Sequence, residues 1–372
     1  MYRFLVKRET KQITPPPEPE KKKKKYSSYK LQHVIPTPKR FIGINKNLKL
    51  PEGSNPDLVL TDDLKKDLKE QGYCVVPQVF STEECKEYIN LFWDWLVNLG
   101  SGIVKEDWST WTSNKRPLQD RGIVKYPSLA HADFIWKCRT HPNIRSIFSQ
   151  LWQDNDLLVG FCRACILPPS SSGYYSDTGT RNWDWFHTDQ SSRRRGLHCV
   201  QGSMNLIDSE DNDGGFVVIP GSHLYHDEFF KIHDIGVSQD WYKYSKTDLE
   251  WFYKTKGLKI KKVNVPAGAL ILWDSRLIHC NHPLNPRQLD KNRYRMCIYV
   301  CYTPRSWATE EILKKKQEAF NDIKQTRHWP HLVLAGDNGV PFDTRGVDVS
   351  VFKNIQTKPP ILDEIGMRLA GF

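Results

Sequence analysis

Phe186-His187-Thr188-Asp189-Gln190 is the stretch on which the reading of this chain turns. In an extended segment successive side chains alternate between faces, so His187 and Asp189 project to one side and can reach a common ion. Ninety residues after Asp189, a third metal-capable side chain closes Ala269-Leu-Ile-Leu-Trp-Asp-Ser-Arg-Leu-Ile-His279. Two imidazoles and one carboxylate on one side of a metal leave its other positions open for small ligands, as in the facial triad of non-haem Fe(II) oxygenases. The two-residue motif alone is cheap. His131-Ala132-Asp133 repeats it ahead of the strand-rich half, beside a helix-like stretch, and reads as structural or surface.

Around the decisive stretch the apolar period is close to two. Residues 157–166, 197–207, 215–219, 258–265, 269–273 and 296–302 are short runs rich in Val, Ile, Leu, Tyr and Cys, separated by Gly, Pro, Asn and Asp. Several short strands with turn signals between them predict a mainly β protein with flanking helices (α+β). The expected core is a double-stranded β-helix, a jelly roll of cupin type. Upstream, Thr61 can cap a helix with Asp62 and Asp63 in its first turn, and Gly72 can end it. Tyr73-Cys-Val-Val76 reads as a strand stopped by Pro77. Ser81 and Glu84 then make a capping box for a helix with Cys85, Tyr88, Ile89, Phe92, Leu96 and Leu99 on one face. Downstream, 310–320 reads as helical and 361–372 as a short amphipathic close. The expected division is a basic, Pro-rich tail over 1–57, a catalytic domain over 58–305, and a C-terminal extension over 306–372.

The net charge of +11 over 372 residues suggests nucleic-acid chemistry until it is divided along the chain. Residues 1–40 carry twelve Lys/Arg against three acids, a local charge of +9, which leaves +2 for the remainder. The folded part is therefore near neutral, and any contact with a polyanion or nucleic acid belongs to residues 1–40, where Lys21–Lys25 form one block. No apolar run approaches the roughly 18 residues of a membrane span, and the first residues hold too short an apolar stretch for a secretory signal. Nine cysteines without a framework spacing favour reduced thiols, hence an intracellular protein, cytoplasmic or nuclear, rather than a secreted one. Cys162-Arg-Ala-Cys165 has no second pair to complete a zinc site.

The order of features after the decisive stretch is specific: strand 197–207, then Gly214-Gly-Phe-Val-Val-Ile-Pro-Gly-Ser-His223, then the strand leading to His279, then Arg293-Tyr-Arg295 opening a last strand. This order, from Gln71-Gly-Tyr-Cys-Val-Val-Pro77 to Tyr302, resembles the phytanoyl-CoA dioxygenase family of 2-oxoglutarate-dependent oxygenases. The resemblance implies Fe(II) held by His187, Asp189 and His279, with 2-oxoglutarate as cosubstrate, succinate and CO2 as products, and ascorbate as an available reductant. It implies an arginine at the start of the final strand for the distal carboxylate of 2-oxoglutarate. Arg295 fits that place, with Arg293 and then Arg287 as fallbacks and an insertion over 285–291. An arginine suits the task because its planar fork grips a carboxylate through two parallel hydrogen bonds. Asp189 stands where halogenating relatives carry a small residue, so hydroxylation of a small organic substrate is the expected reaction.

Other residues carry weaker signals. His223, His198 and His282 read as structural or surface histidines. Trp183 and Trp185 flank the triad strand as pocket wall or core. The aromatic segment 224–257 reads as a lid over the metal or as a satellite cluster. Ser191-Ser-Arg193-Arg194-Arg195 reads as a contact for an anionic substrate group or as a solvated hairpin tip, and Arg327-His328-Trp329-Pro330 receives no role. Two rival functions remain at this level: a catalytically silent jelly-roll binding protein, and a nucleic-acid-associated oxygenase anchored by its lysine-rich tail.

Overall fold

The structure, a computed structural model, describes residues 45, 47–172, 174, 185–235, 240–283, 290, 292–332 and 349–372. The basic segment 1–40, Trp183 and Arg287 lie outside the described residues.

The chain enters through α1 (Asp62–Glu70), where the Thr61 side chain accepts from the Leu64 amide. The strand β1 (Tyr73–Val76) follows after a tight reversal at Gly72, whose φ is +84°. A Cβ there would lie 2.5 Å from Nδ1 of His223, a contact no real Cβ makes. His223 needs that closeness because its Nε2 meets the Lys69 carbonyl at 3.0 Å, tying the Pro220-Gly-Ser-His223 turn to the end of α1. Ser81 and Glu84 form the capping box of α2 (Thr82–Asn98). That helix buries Cys85, Tyr88, Phe92, Trp93 and Leu96, each large side chain contributing about 1.5–3 kcal/mol of burial. With α3 (Asp133–Thr140) and α4 (Pro142–Trp152) it shares the principal core with one face of the main sheet. His131, preceding α3, is fully buried with Nε2 at 2.9 Å from the Lys324 carbonyl, a packing role for the second His-x-Asp.

The core is a jelly roll of two antiparallel sheets. The strands in chain order are β2 (Gln119–Asp120), β3 (Ile123–Val124), β4 (Leu157–Val159), β5 (Ala164–Leu167), β6 (His187–Thr188), β7 (Val200–Asn205) and β8 (Gly215–Val218). They continue as β9 (Tyr242–Lys243), β10 (Lys261–Lys262), β11 (Leu270–Asp274), β12 (His279–His282) and β13 (Arg295–Pro304). The larger sheet runs β1-β11-β7-β13-β5-β3-β2, with β4 also on β13; the smaller runs β10-β8-β12-β6-β9. Side chains meet between them: Phe216 of β8 lies 4.9 Å from Trp273 of β11, and Asn281 of β12 donates to the Tyr299 hydroxyl of β13 at 2.9 Å.

Two expected strands differ from the sequence reading. Residues 157–166 form two strands because a β-bulge interrupts them: four residues, 160–163, face only three, 299–301, between the pairs Val159↔Tyr302 and Ala164↔Ile298. At the bulge the Phe161 amide donates to Thr326 Oγ1 at 2.9 Å, so the extra residue admits the C-terminal segment. The run 258–265 shortens to the two-residue edge strand β10 and a bridge from Val265 to Ser209, since among the described residues it has β8 on one side and no strand on the other. Among the described residues, no helix is long and apolar enough to cross a membrane.

Behind β4 and the bulge, α7 (Glu310–Asn321) and α8 (Glu364–Ala370) close the fold. Lys316 of α7 is fully buried, with Nζ donating to the Val159 carbonyl and lying 4.0 Å from the Phe161 ring centroid. Burial first, then the nearby Arg139 guanidinium, pushes the ammonium down to about 7. The unfolded chain holds this proton up to its ordinary value of 10.5, so between about pH 7 and 10.5 the unfolded state binds more protons and stability rises with pH. Below pH 7 the fold carries the full cost of burying the charge. Lys316→Met, which keeps the stem on Phe161, is therefore expected to stabilise the protein by about 1–4 kcal/mol near pH 6 and by much less near pH 10. Urea melts at the two pH values check this.

The segment between β8 and β11 contains α5 (His226–Ile232) and α6 (Lys246–Lys256), the latter opened by a capping box of Ser245 and Asp248. Its aromatic residues form a second cluster around Phe229, Phe230, Tyr244 and Phe252 that packs on Trp185 and Phe186. One member reaches the site: Trp241, 37% exposed, lies 5.6 Å from the His187 ring.

Candidate metal centre

Strand pairing brings the distant histidines together. His279 opens β12 directly opposite His187 of β6, and opposed residues of an antiparallel pair share a face. Their ring centroids are 4.4 Å apart. Asp189 sits two residues on, where its amide and that of Gln190 both donate to the Ser275 carbonyl at 3.1 Å and end β6. His187 Nε2 lies 3.7 Å from Asp189 Oδ1, and His279 Nε2 lies 3.4 Å from Oδ2. One ligand atom from each of the three falls within 4.8 Å of the others.

Hydrogen bonding sets the protonation of this group. His187 Nδ1 is 3.0 Å from the Trp185 carbonyl, and His279 Nδ1 is 2.9 Å from the Leu277 carbonyl. A carbonyl only accepts, so each Nδ1 carries a proton and each Nε2 faces the carboxylate. Burial, then the neighbouring His279 imidazole, pushes His187 down to about 3, so it is neutral at physiological pH. Burial alone would raise Asp189, but the imidazoles of His328, His279 and His187 together hold it well below the usual carboxylate range. The result is two imidazole nitrogens and one carboxylate converging, a cluster that a cation satisfies. The donor set, two imidazoles and a carboxylate, fits Fe(II).

The surrounding shell orients the carboxylate. Gln201 of β7 donates to Asp189 Oδ2 at 2.8 Å across the two sheets. Sequence reasoning missed Gln201, although polar residues at 201, 203 and 205 alternate with Val200, Gly202 and Met204 and mark an inward polar face. Removal of a hydrogen bond to a ligating group typically costs about 10–100-fold in metal affinity. Gln201→Leu is expected to weaken metal binding by about that factor while leaving the melting temperature of the metal-free protein near its original value, as metal titration and thermal melts will report.

From the triad the barrel interior leads to Arg295. Asn281, two residues after His279, faces the same way and accepts from Arg295 Nη1 at 3.3 Å. Arg295 is 3% exposed, and among the described residues no carboxylate pairs with it. Its surroundings on β13 and β5 are Cys165, Cys297 and Tyr299. The fallback Arg293 is taken: its guanidinium binds Asp213 through Nε at 2.8 Å and through Nη2, with Glu210 at 3.7 Å.

Other sequence candidates separate. Trp185 stacks on His187 at 4.4 Å and donates to the Asn281 carbonyl at 3.0 Å, so it is pocket wall. Arg194 is no solvated tip, because it is buried, paired with Asp240 at 2.7 Å and laid over Trp329 at 4.8 Å. Cys162 and Cys165 diverge, the first packing with Cys199, Cys301 and Trp329, the second lying opposite Cys297. His282 is exposed at the end of β12, and His198 bonds the Arg195 carbonyl. His328, given no role from sequence, stands with Nε2 at 4.0 Å from Asp189 Oδ1.

The chain is similar to known proteins in sequence and in fold. The sequence profile of the family "Phytanoyl-CoA dioxygenase (PhyH)" matches residues 68–284. "Ava biosynthesis cluster protein O" of Aspergillus versicolor is 30% identical over 278 residues, covering 72% of this chain and 86% of that one. Among solved structures, a Salmonella typhimurium LT2 protein assigned to the oxidoreductases is 14% identical and superposes with a TM-score of 0.54 over 84% of this chain and 83% of its own. HygX of Streptomyces hygroscopicus, seen with nickel and 2-oxoglutarate, is 15% identical at a TM-score of 0.42, over 68% of this chain and 90% of that one. The chain belongs to the phytanoyl-CoA dioxygenase family of iron- and 2-oxoglutarate-dependent oxygenases.

Proposed function

We propose that His187 Nε2, the Asp189 carboxylate and His279 Nε2 hold the iron, that Arg295 binds the distal carboxylate of 2-oxoglutarate, and that the enzyme hydroxylates a small organic molecule. The observation that carries this reading is the pairing, in one barrel interior, of a metal-ligating cluster with a buried guanidinium that has no carboxylate partner among the described residues. A buried guanidinium without a carboxylate counterion is costly, and a dicarboxylate between Arg295 and the iron answers both needs at once.

Bound iron supplies the activation of O2, with oxidative decarboxylation of 2-oxoglutarate to succinate and CO2. The chain's own residues do the rest. Carbonyl-anchored Nδ1 protons keep both imidazoles turned towards the ion, Gln201 holds the carboxylate, and Asn281 and Tyr299 line the path to Arg295. Trp185 and Trp241 wall the His187 side, and substrate enters past the half-exposed Trp241. The described cysteines are all free and buried, which supports a reducing compartment of the cell. The charge excess of residues 1–40 supports a separate, salt-sensitive contact with a polyanion.

The test is O2-dependent conversion of 2-oxoglutarate to succinate by iron-loaded protein, first without substrate as slow uncoupled turnover and then across a panel of small molecules. A compound that accelerates succinate release and gains one oxygen atom identifies the substrate. Absence of succinate with iron bound would favour a silent binding protein instead.

A further inference from the structure

The C-terminal extension reaches the centre of the barrel. At one end of the segment, Thr326 Oγ1 accepts from the Phe161 amide at 2.9 Å inside the bulge between β4 and β5. At the other end, Trp329 is buried among Cys162, Cys199 and Cys301 and covered by Arg194, itself paired with Asp240. Between them, the His328 carbonyl accepts from the thiols of Cys199 at 3.0 Å and Cys301 at 3.2 Å. A segment fixed at three successive points delivers its side chain with little freedom, and the imidazole it delivers is that of His328.

His328 Nε2 is buried, has no hydrogen-bond partner among the described residues, and lies 4.0 Å from Asp189 Oδ1. A buried ring nitrogen left unsatisfied is costly, so one aimed at a carboxylate calls for an explanation. The carboxylate's other oxygen already takes Gln201. We infer that His328 is a positioning residue of the metal centre: its Nε2–H donates to Asp189 Oδ1, and His328 and Gln201 hold the carboxylate from its two sides in the orientation that faces the iron. A small rotation of the carboxylate closes the gap, and the C-terminal extension thereby becomes part of the site. The inference rests on the iron reading above.

The test is anaerobic titration of full-length, metal-free protein with Fe(II), with and without 2-oxoglutarate, following the visible absorption of the chelate. His328→Phe and His328→Ala remove the donor, and His328→Gln restores one. The expected result is a loss of Fe(II) affinity of about 10–100-fold with a shifted chelate band in the Phe and Ala variants. Recovery to within a few-fold in His328→Gln is expected beside it, with all apo melting temperatures close to wild type. Wild-type affinity and an unshifted band in His328→Phe or His328→Ala would overturn the inference while leaving the iron reading intact. So would a Gln variant as impaired as the Phe variant, since the ring would then act only by filling space. Absence of any chelate band in the wild type would instead overturn the iron reading, and the inference with it.

Discussion

Asp189→Ala is expected to lose its iron. The alanine leaves two imidazoles facing each other, a bidentate site with no carboxylate charge to offset the cation, and the loss should exceed the roughly 10–100-fold that losing a hydrogen bond to a ligand costs. Metal content after anaerobic loading and desalting should fall from one per chain to background, and succinate formation should fall with it. The fold should survive, because the Asp189 amide, which ends β6 on the Ser275 carbonyl, is untouched. An Asp189→Ala protein that keeps stoichiometric iron would show that the metal sits elsewhere.

The second large effect runs in opposite directions in the same variant. Arg295 is buried without a carboxylate partner among the described residues, with only the Cys297 and Cys165 thiols to offset its charge, so the empty protein carries part of its desolvation cost. Arg295→Met removes that cost and should raise the stability of the apo protein by about 1–4 kcal/mol. The same change removes the fork that would bind a carboxylate, and truncating one partner of a buried charge pair costs about 2–5 kcal/mol. The 2-oxoglutarate KM should therefore rise by a factor of about 30 to several thousand, while iron binding in the absence of cosubstrate stays near wild type. A melt of the apo protein and a cosubstrate titration read the two effects separately. An Arg295→Met protein with unchanged KM would transfer the carboxylate to another residue, and one destabilised without 2-oxoglutarate would mean that the guanidinium is built into the fold.

The residues legible from sequence were those whose geometry is local. His187 and Asp189 share a face because of strand alternation. His279, expected at the end of the strand over 269–273, instead opens the next strand, β12, after a turn, and that strand lies opposite His187. The capping boxes at Ser81 and the cap at Thr61 are likewise decided within four residues. The bulge at 160–163 was not legible, because an apolar run carries no mark of one extra residue until its partner strand is known. Gln201 left a faint signal in the polar alternation of β7. His328 left none: its place at Asp189 depends on the bulge, on two thiols contributed by β13 and the approach to β7, and on Trp329, all set by tertiary packing. Arg194 was misjudged for the same reason, since its partner Asp240 lies 46 residues further on.

The most direct measurement of the central claim is anaerobic addition of Fe(II) to wild-type protein in the presence of 2-oxoglutarate, with absorbance recorded through the visible range. The account predicts a weak charge-transfer band that saturates at one iron per chain, requires 2-oxoglutarate, and disappears in Asp189→Ala. No band, with bound iron well below one per chain, would contradict it and leave a jelly-roll fold whose buried histidines and arginine serve some other ligand.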